Sequence, residues 1–193
     1  MAEQIKRLER NLVANGVIFD YYQDTVQLPN GKTAKWDLID HVGAAAVVAV
    51  RKDGKVLLVR QYRNAPEEET LEIPAGGLNY RGEPKDQAAA RELKEETGYE
   101  TEKLEHLVDL YTAAAYCTEV IGIYLAEGLE RQGSQHLDEN EFLNVEAYTL
   151  EELLSMIRWG QIHDSKTVSG ILLYAQRVYE RQGKTLETET KKA

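Results

Sequence analysis

The chain is poor in cysteine, in long apolar runs and in positive charge. Cys117 is the one cysteine, so no internal disulfide can form and a reducing compartment suits the protein. No apolar run approaches the roughly 20 residues that span a bilayer, so no membrane partner is expected. The opening MAEQIKRLERN is charged and lacks an apolar h-region. That argues against a secretory signal and leaves a cytoplasmic location as the default expectation. Internal repeats and low-complexity tracts are missing, which excludes solenoid and linker architectures. Lysine and arginine number 23 against 33 acidic residues, a net charge of −10. Such a balance disfavours non-specific binding to nucleic acid. An anionic substrate would need a metal and local arginines to offset the field.

What remains is enough for one domain with an appended segment, large enough to bury a real core. Residues Met1–Gly16 are polar, with Ile5, Leu8, Leu12 and Val13 at near-helical spacing, consistent with a short helix or a disordered arm. VIFDYYQDTVQL and TAKWDLIDH flank Pro29-Asn30-Gly31-Lys32 and read as a β-hairpin. GAAAVVAV, from Gly43, reads as a strand buried on both faces. It joins VLLVRQYR through an Asp53-Gly54 turn, with Arg60 and Arg63 at the far end. Pro66 to Glu69 reads as a polar loop and Leu71-Glu72-Ile73 as a short strand. Two later strands flank a loop at Tyr116-Cys117-Thr118. A polar loop from Gln132 to Asn140 then leads into the strand FLNVEAY. Thr149 with Glu152 forms a capping box for one helix, and a last helix runs over about 165–182. Strands with helices on both sides imply an α+β sandwich. The expected division is an N-terminal β segment (1–42), a main domain (43–183) and a charged tail (184–193).

The densest chemistry lies in GLNYRGEPKDQAAARELKEETGY, Gly77 to Tyr99. From Pro84 it reads as a helix, with Gly98 where a helix stops. Glu92, Glu95 and Glu96 fall on one face, bordered by an apolar stripe through Leu93 and Ala89. Arg91 lies one turn from Glu95 and can hold it. Like charges on adjacent turns repel by some tenths of a kcal/mol per exposed pair, so stability alone does not explain the cluster. Mg²⁺ is usually held by one or two carboxylates plus substrate phosphates. An isolated EE pair would still read as a solvated acidic face.

The full spacing decides between these. Gly77, five residues, Glu83, seven residues, Arg91-Glu92-Leu93, one residue, Glu95-Glu96, one residue and Gly98-Tyr99 resemble a complete Nudix box. LLVRQYR, LEIPAG, DENEFLNV and GQIHDSKT extend the resemblance to the bacterial ADP-ribose pyrophosphatases, from about Val17 to Val178. The resemblance implies a Nudix fold, a mixed sheet between helices preceded by an antiparallel N-terminal hairpin. It implies a homodimer hydrolysing ADP-ribose to AMP and ribose 5-phosphate with two to three Mg²⁺ or Mn²⁺ ions per active site. Glu92 and Glu96 become the main metal ligands, Glu95 supports them, and a backbone carbonyl from Ala75 or Gly76 completes the shell, with Ala75 preferred. Glu139 matches the family's loop glutamate and becomes the base, acting with Glu95 and Glu96. Arg63, Glu72 and Glu141 fall to the substrate, while Glu83, Arg91 and Gly77 hold the box in shape. Phe19, Tyr21, Tyr22 and Trp36 would stack on adenine, line a dimer interface or pack in the core. One departure stands out. Where the family carries Ser-Pro-Gly this chain has Ala113-Ala114-Ala115, which keeps other nucleoside diphosphate sugars (GDP-mannose, UDP-glucose) and a non-catalytic ADP-ribose sensor as alternatives.

Overall fold

The first three strands build a sheet of their own. In the computed structural model, which describes residues 4–135 and 142–183, β1 (Lys6–Asn15), β2 (Phe19–Gln27) and β3 (Thr33–His41) pair antiparallel in that order. The β2–β3 turn uses Asn30-Gly31 as the sequence suggests. Gly31 takes φ 79°, and the Asn30 side chain accepts the Lys32 N–H at 3.1 Å. β1 corrects the expectation of a helix or a disordered arm. Its pairing with β2 shifts register between Arg7 and Glu9 and again between Leu12 and Ala14. Each shift puts the two-residue alternation out of phase, which is why the apolar spacing mimics a helix.

The second sheet starts at β4 (Ala44–Arg51) and gathers β5 (Val56–Arg63), β6 (Glu68–Glu72), β7 (Ala75–Gly77), β8 (Glu105–Tyr111), β9 (Val120–Leu129) and β10 (Leu143–Tyr148). Its order is β10-β5-β4-β9-β8, with β6 on β5 and β7 on β4, and only the β4–β9 pair is parallel. The helices are α1 (Lys85–Thr97), α2 (Leu150–Arg158) and α3 (Ser165–Arg181). β4 is buried on both faces, as its unbroken apolar run implies. Ala45, Val47 and Ala49 join Ala88, Ala89 and Leu93 of α1 in one core. Ala44, Ala46, Val48 and Val50 join Leu153 of α2 and Ile171 and Ala175 of α3 in the other. The result is the α+β sandwich expected, a mixed sheet between helices.

Local signals mostly behave as read. Thr149 and Glu152 complete a reciprocal capping box on α2. Gly98 closes α1 in the left-handed region at φ 72°, its N–H bonded to the Lys94 carbonyl. Two boundaries move. Pro84 is the cap before α1 rather than its first turn, and Glu68 and Glu69 belong to β6 rather than to a loop.

α3 approaches the sheet through Gly170. A Cβ there would lie 2.9 Å from Val48 and 3.3 Å from Ile73. The replacement Gly170→Val should therefore destabilise by about 1–3 kcal/mol through overpacking, despite the roughly 0.5 kcal/mol or less that a helix gains on losing glycine for valine. Urea unfolding measures it, and an unchanged midpoint would show that α3 does not dock this closely.

Candidate active site

Docking of α1 decides where the acidic residues go. Leu93 is fully buried under the sheet, so its neighbour Glu92 and the residue one turn on, Glu96, are carried to the rim of the core. They are only 7% and 2% exposed. The strand that meets them is β7. The Ala75 N–H donates to Glu96 Oε2 at 3.0 Å. A Cβ on Gly76 would fall 2.2–2.4 Å from the Glu92 carboxylate, so glycine is required there for the carboxylate to lie against the backbone. At Gly77, the first glycine of the motif, a Cβ would meet nothing within 4 Å. The steric demand therefore sits one residue earlier than the motif suggests.

Register settles which carbonyl faces the acids. Val47 donates to the Pro74 carbonyl and Leu78 to the Gly43 carbonyl, with Ala45 opposite Gly76 between them. Hydrogen-bonded and non-bonded pairs alternate along an antiparallel ladder, so Gly76 faces β4 while Ala75 and Gly77 face away from it. The Gly77 carbonyl accepts from Arg91 Nη2 at 3.1 Å, and the Ala75 N–H is on Glu96. The Ala75 carbonyl points the same way.

Arg91 braces this corner. Its Nη1 donates to Glu92 Oε1 at 2.5 Å and to Glu95 Oε2 at 3.2 Å, and Nη2 lies 3.8 Å from Glu83. Glu83 in turn accepts the Asn79 N–H at 2.6 Å, closing the loop that precedes α1. Glu95 is the outer member of the acidic set, its side chain 42% exposed. Among the described residues no three His, Cys, Asp or Glu side chains form a ready-made cation cage. Glu92, Glu96 and an outward carbonyl nonetheless make an all-oxygen donor set that suits a hard cation sharing its shell with phosphate. Glu139 and Glu141 lie outside the described residues, as does the tail from 184.

Beside β7 opens a cleft of about 580 Å³, walled by Ala75, Gly76 and Gly77 on one side and by Arg63, Glu72 and Lys166 on another. Arg63 holds Glu72 side-on, Nε to Oε1 at 2.8 Å and Nη2 to Oε2 at 2.7 Å. Thr70 donates to Oε1 at 2.6 Å and Lys166 to Oε2 at 2.5 Å. Burial alone would push the Glu72 carboxyl up, but the Arg63 bonds and the Lys166 ammonium outweigh it and hold the pKa at about 2. Arg63 and Glu72 thus reach the site together. The sequence pattern does not mark Lys166, although GQIHDSKT contains it, because a lysine opening a helix ordinarily reads as solvated. The aromatics of the N-terminal sheet are spread differently. Tyr21 donates to Asp37, Tyr22 lies under Arg10, and Phe19 and Trp36 are 40% and 46% exposed. From that part of the chain Ile18, in the β1–β2 connection, and His41, at the end of β3, line the cleft.

The loop that replaces Ser-Pro-Gly is stitched to β3. Ile39 N–H donates to the Tyr116 carbonyl at 2.7 Å, Thr118 N–H to the Ile39 carbonyl at 3.0 Å, and Thr118 Oγ1 to Asp40 at 3.0 Å. Arg81 of the box loop reaches the same aspartate. This brings Glu119 into the cleft wall, 3.4 Å from His41.

A folded-state pKa below the ordinary carboxylate value means stability that is complete above pH 4.5 and is lost as pH falls towards 2. The variant Glu72→Gln should therefore cost about 3 kcal/mol at neutral pH, and the gap to the parent should shrink below pH 4.5. Denaturant titrations across that range test this, and a gap independent of pH would contradict the assignment.

Residues 40–168 match the NUDIX domain. The chain is 38% identical over 167 residues to the ADP-ribose pyrophosphatase of Bacillus subtilis (strain 168), covering 86% of this chain and 90% of that one. It is 40% identical, with the same coverage, to the methanol dehydrogenase activator of Bacillus methanolicus. Its fold matches a crystal structure described as an ADP compounds hydrolase with TM-score 0.81 at 23% identity, over 96% of this chain and 99% of the other. With the box complete, its carboxylates gathered at the rim of a mixed sheet and its helices on both faces, the chain belongs to the Nudix hydrolase family.

Proposed function

We propose that the protein hydrolyses the pyrophosphate of ADP-ribose to AMP and ribose 5-phosphate, using Mg²⁺ or Mn²⁺. The observation that carries this reading is the carboxylate pair Glu92 and Glu96, packed on the Ala75–Gly76 backbone at the edge of a cleft whose other wall holds Arg63. The likeness to the Bacillus subtilis ADP-ribose pyrophosphatase supports the substrate class.

Glu92, Glu96 and the Ala75 carbonyl would hold the metal ions, two to three per site, with Glu95 at the outer edge. Bound there, divalent ions would neutralise phosphate charge and lower the pKa of a water. The rest of the work belongs to the chain. Arg63 spends two of its five N–H hydrogens on Glu72, leaving three to donate to a diphosphate. Arg91 and Glu83 keep the helix and its preceding loop in register. Glu139, on the segment before β10, is assigned as the base that takes the water proton, with Glu141 beside it.

The Ala113-Ala114-Ala115 loop favours a second reading within the same chemistry, another nucleoside diphosphate sugar. Its residue Glu119 forms part of the cleft wall where a sugar would lie. A non-catalytic ADP-ribose sensor would leave the buried carboxylate pair without a purpose.

We assign a homodimer built on the N-terminal sheet. Every residue of β1 is exposed in the single chain, and Leu8, Leu12, Val13, Val17, Ile18, Phe19 and Trp36 add apolar surface. Cutting that surface with the pair Leu8→Glu and Leu12→Glu should shift sedimentation from dimer to monomer. A parent that already sediments as a monomer refutes the assignment.

Phosphate release coupled to a phosphatase, with Mg²⁺ and a panel of nucleoside diphosphate sugars, tests the activity. Selective turnover of ADP-ribose is expected, and Glu96→Gln should lower it by about 100-fold or more while leaving the fold intact. Preference for a GDP- or UDP-sugar would move the substrate and keep the mechanism. Near-normal rates for Glu96→Gln would refute the site itself.

A further inference from the structure

Lys166 is a buried cation at the cleft that the proposed chemistry does not use. Its side chain is 10% exposed, and its ammonium bridges two carboxylates, Glu72 at 2.5 Å and Asp164 at 3.1 Å. It comes from the first turn of α3, two residues after Asp164 but 94 residues from Glu72. The same turn is anchored a second time. Thr167, fully buried, accepts the Ile73 N–H at 2.9 Å and donates to Asp164 at 2.6 Å, while Asp164 caps the helix. The start of α3 is thus bolted to the corner between β6 and β7, two residues before Ala75.

The route from Lys166 to the cleft runs through one carboxylate. Glu72 Oε2 is shared by Lys166 and Arg63, and Oε1 by Thr70 and Arg63. Thr70 and Lys166 therefore approach the Glu72 carboxylate from β6 and from α3 and fix its plane. Arg63, whose side chain is 42% exposed, can only lie where that plane puts its fork. A side-on guanidinium–carboxylate pair has a single preferred orientation, so locking the carboxylate locks the direction of the remaining N–H donors. An arginine this exposed would otherwise sample many rotamers and lose entropy on binding a ligand.

The geometry points to Lys166 as a positioning residue that, through Glu72, aims Arg63 at the diphosphate of the substrate. This rests on the reading of the cleft as a nucleoside diphosphate site and adds a specific dependence within it. In this role Lys166 acts through Glu72 and not on the ligand itself, so its contribution must vanish when Arg63 is gone.

Calorimetric titration of the full chain with ADP, and separately with AMP, in Mg²⁺ tests this. The substitution Lys166→Met should weaken ADP about tenfold, as Arg63→Ala does, and leave AMP within about twofold. In the Arg63→Ala background Lys166→Met should add nothing, and in the hydrolysis assay it should raise KM far more than it lowers kcat. Where Lys166→Met does not fold, Lys166→Gln carries the same expectations, since it too removes the charge. Equal losses for ADP and AMP, or additive losses in the double variant, overturn the proposal. The two readings separate cleanly. A parent that binds ADP with this dependence yet hydrolyses no nucleoside diphosphate sugar leaves the positioning role standing and removes the activity. A parent that hydrolyses but shows additive losses does the reverse, and one that neither binds nor hydrolyses removes both.

Discussion

Everything about this site depends on keeping two carboxylates, Glu92 and Glu96, nearly out of water at the rim of a hydrophobic core. Isolated anions at such burial would cost several kcal/mol each and would protonate. Here Arg91 meets Glu92, and the Ala75 N–H meets Glu96. Both partners are held by the same short strand, since Arg91 also grips the Gly77 carbonyl. Three residues of β7 therefore tie the sheet to the helix at the point where the charge is concentrated. Leu93 sets the depth of the helix, and Gly76 lets the backbone come close enough to matter.

A second pairing of charge with backbone lies across the cleft, built from different parts. Glu72 ends β6, Arg63 ends β5, and Lys166 and Asp164 begin α3. The strand β5 brings Arg63 close to Glu72 because the two strands pair antiparallel, Arg63 opposite Glu68 and Val59 opposite Glu72. The long side chain of Arg63 then runs back along the hairpin to reach the carboxylate. Such an arrangement costs desolvation and stays folded only because every oxygen of Glu72 is bonded. Its value lies in geometry, since a fully bonded carboxylate is a rigid support for an arginine.

Much of the core was legible in the chain itself. The unbroken apolar run of β4 signalled burial on both faces, Thr149 with Glu152 marked a helix start, and Gly98 marked a helix stop. The box was legible for a different reason, because nine specified positions at fixed spacing are a rare coincidence. β1 carries the apolar spacing of a helix because two register shifts put its strand alternation out of phase. Lys166 is not legible in the sequence, because its buried partner Glu72 lies 94 residues away and no local pattern carries that information.

By itself, then, the sequence determined which residue types stand at which spacing: an amphipathic helix with its acids on one face, an apolar strand, turns where Asn-Gly and Asp-Gly permit them. These are short-range consequences of sterics and periodicity, and they survive without knowledge of what packs where. Only the tertiary structure decided that Gly76 rather than Gly77 carries the steric demand, that the Ala75 carbonyl faces the acids, and that α3 supplies a buried cation to the cleft. Each of those depends on strand register or helix docking, and register and docking are settled by contacts between residues that the chain keeps far apart.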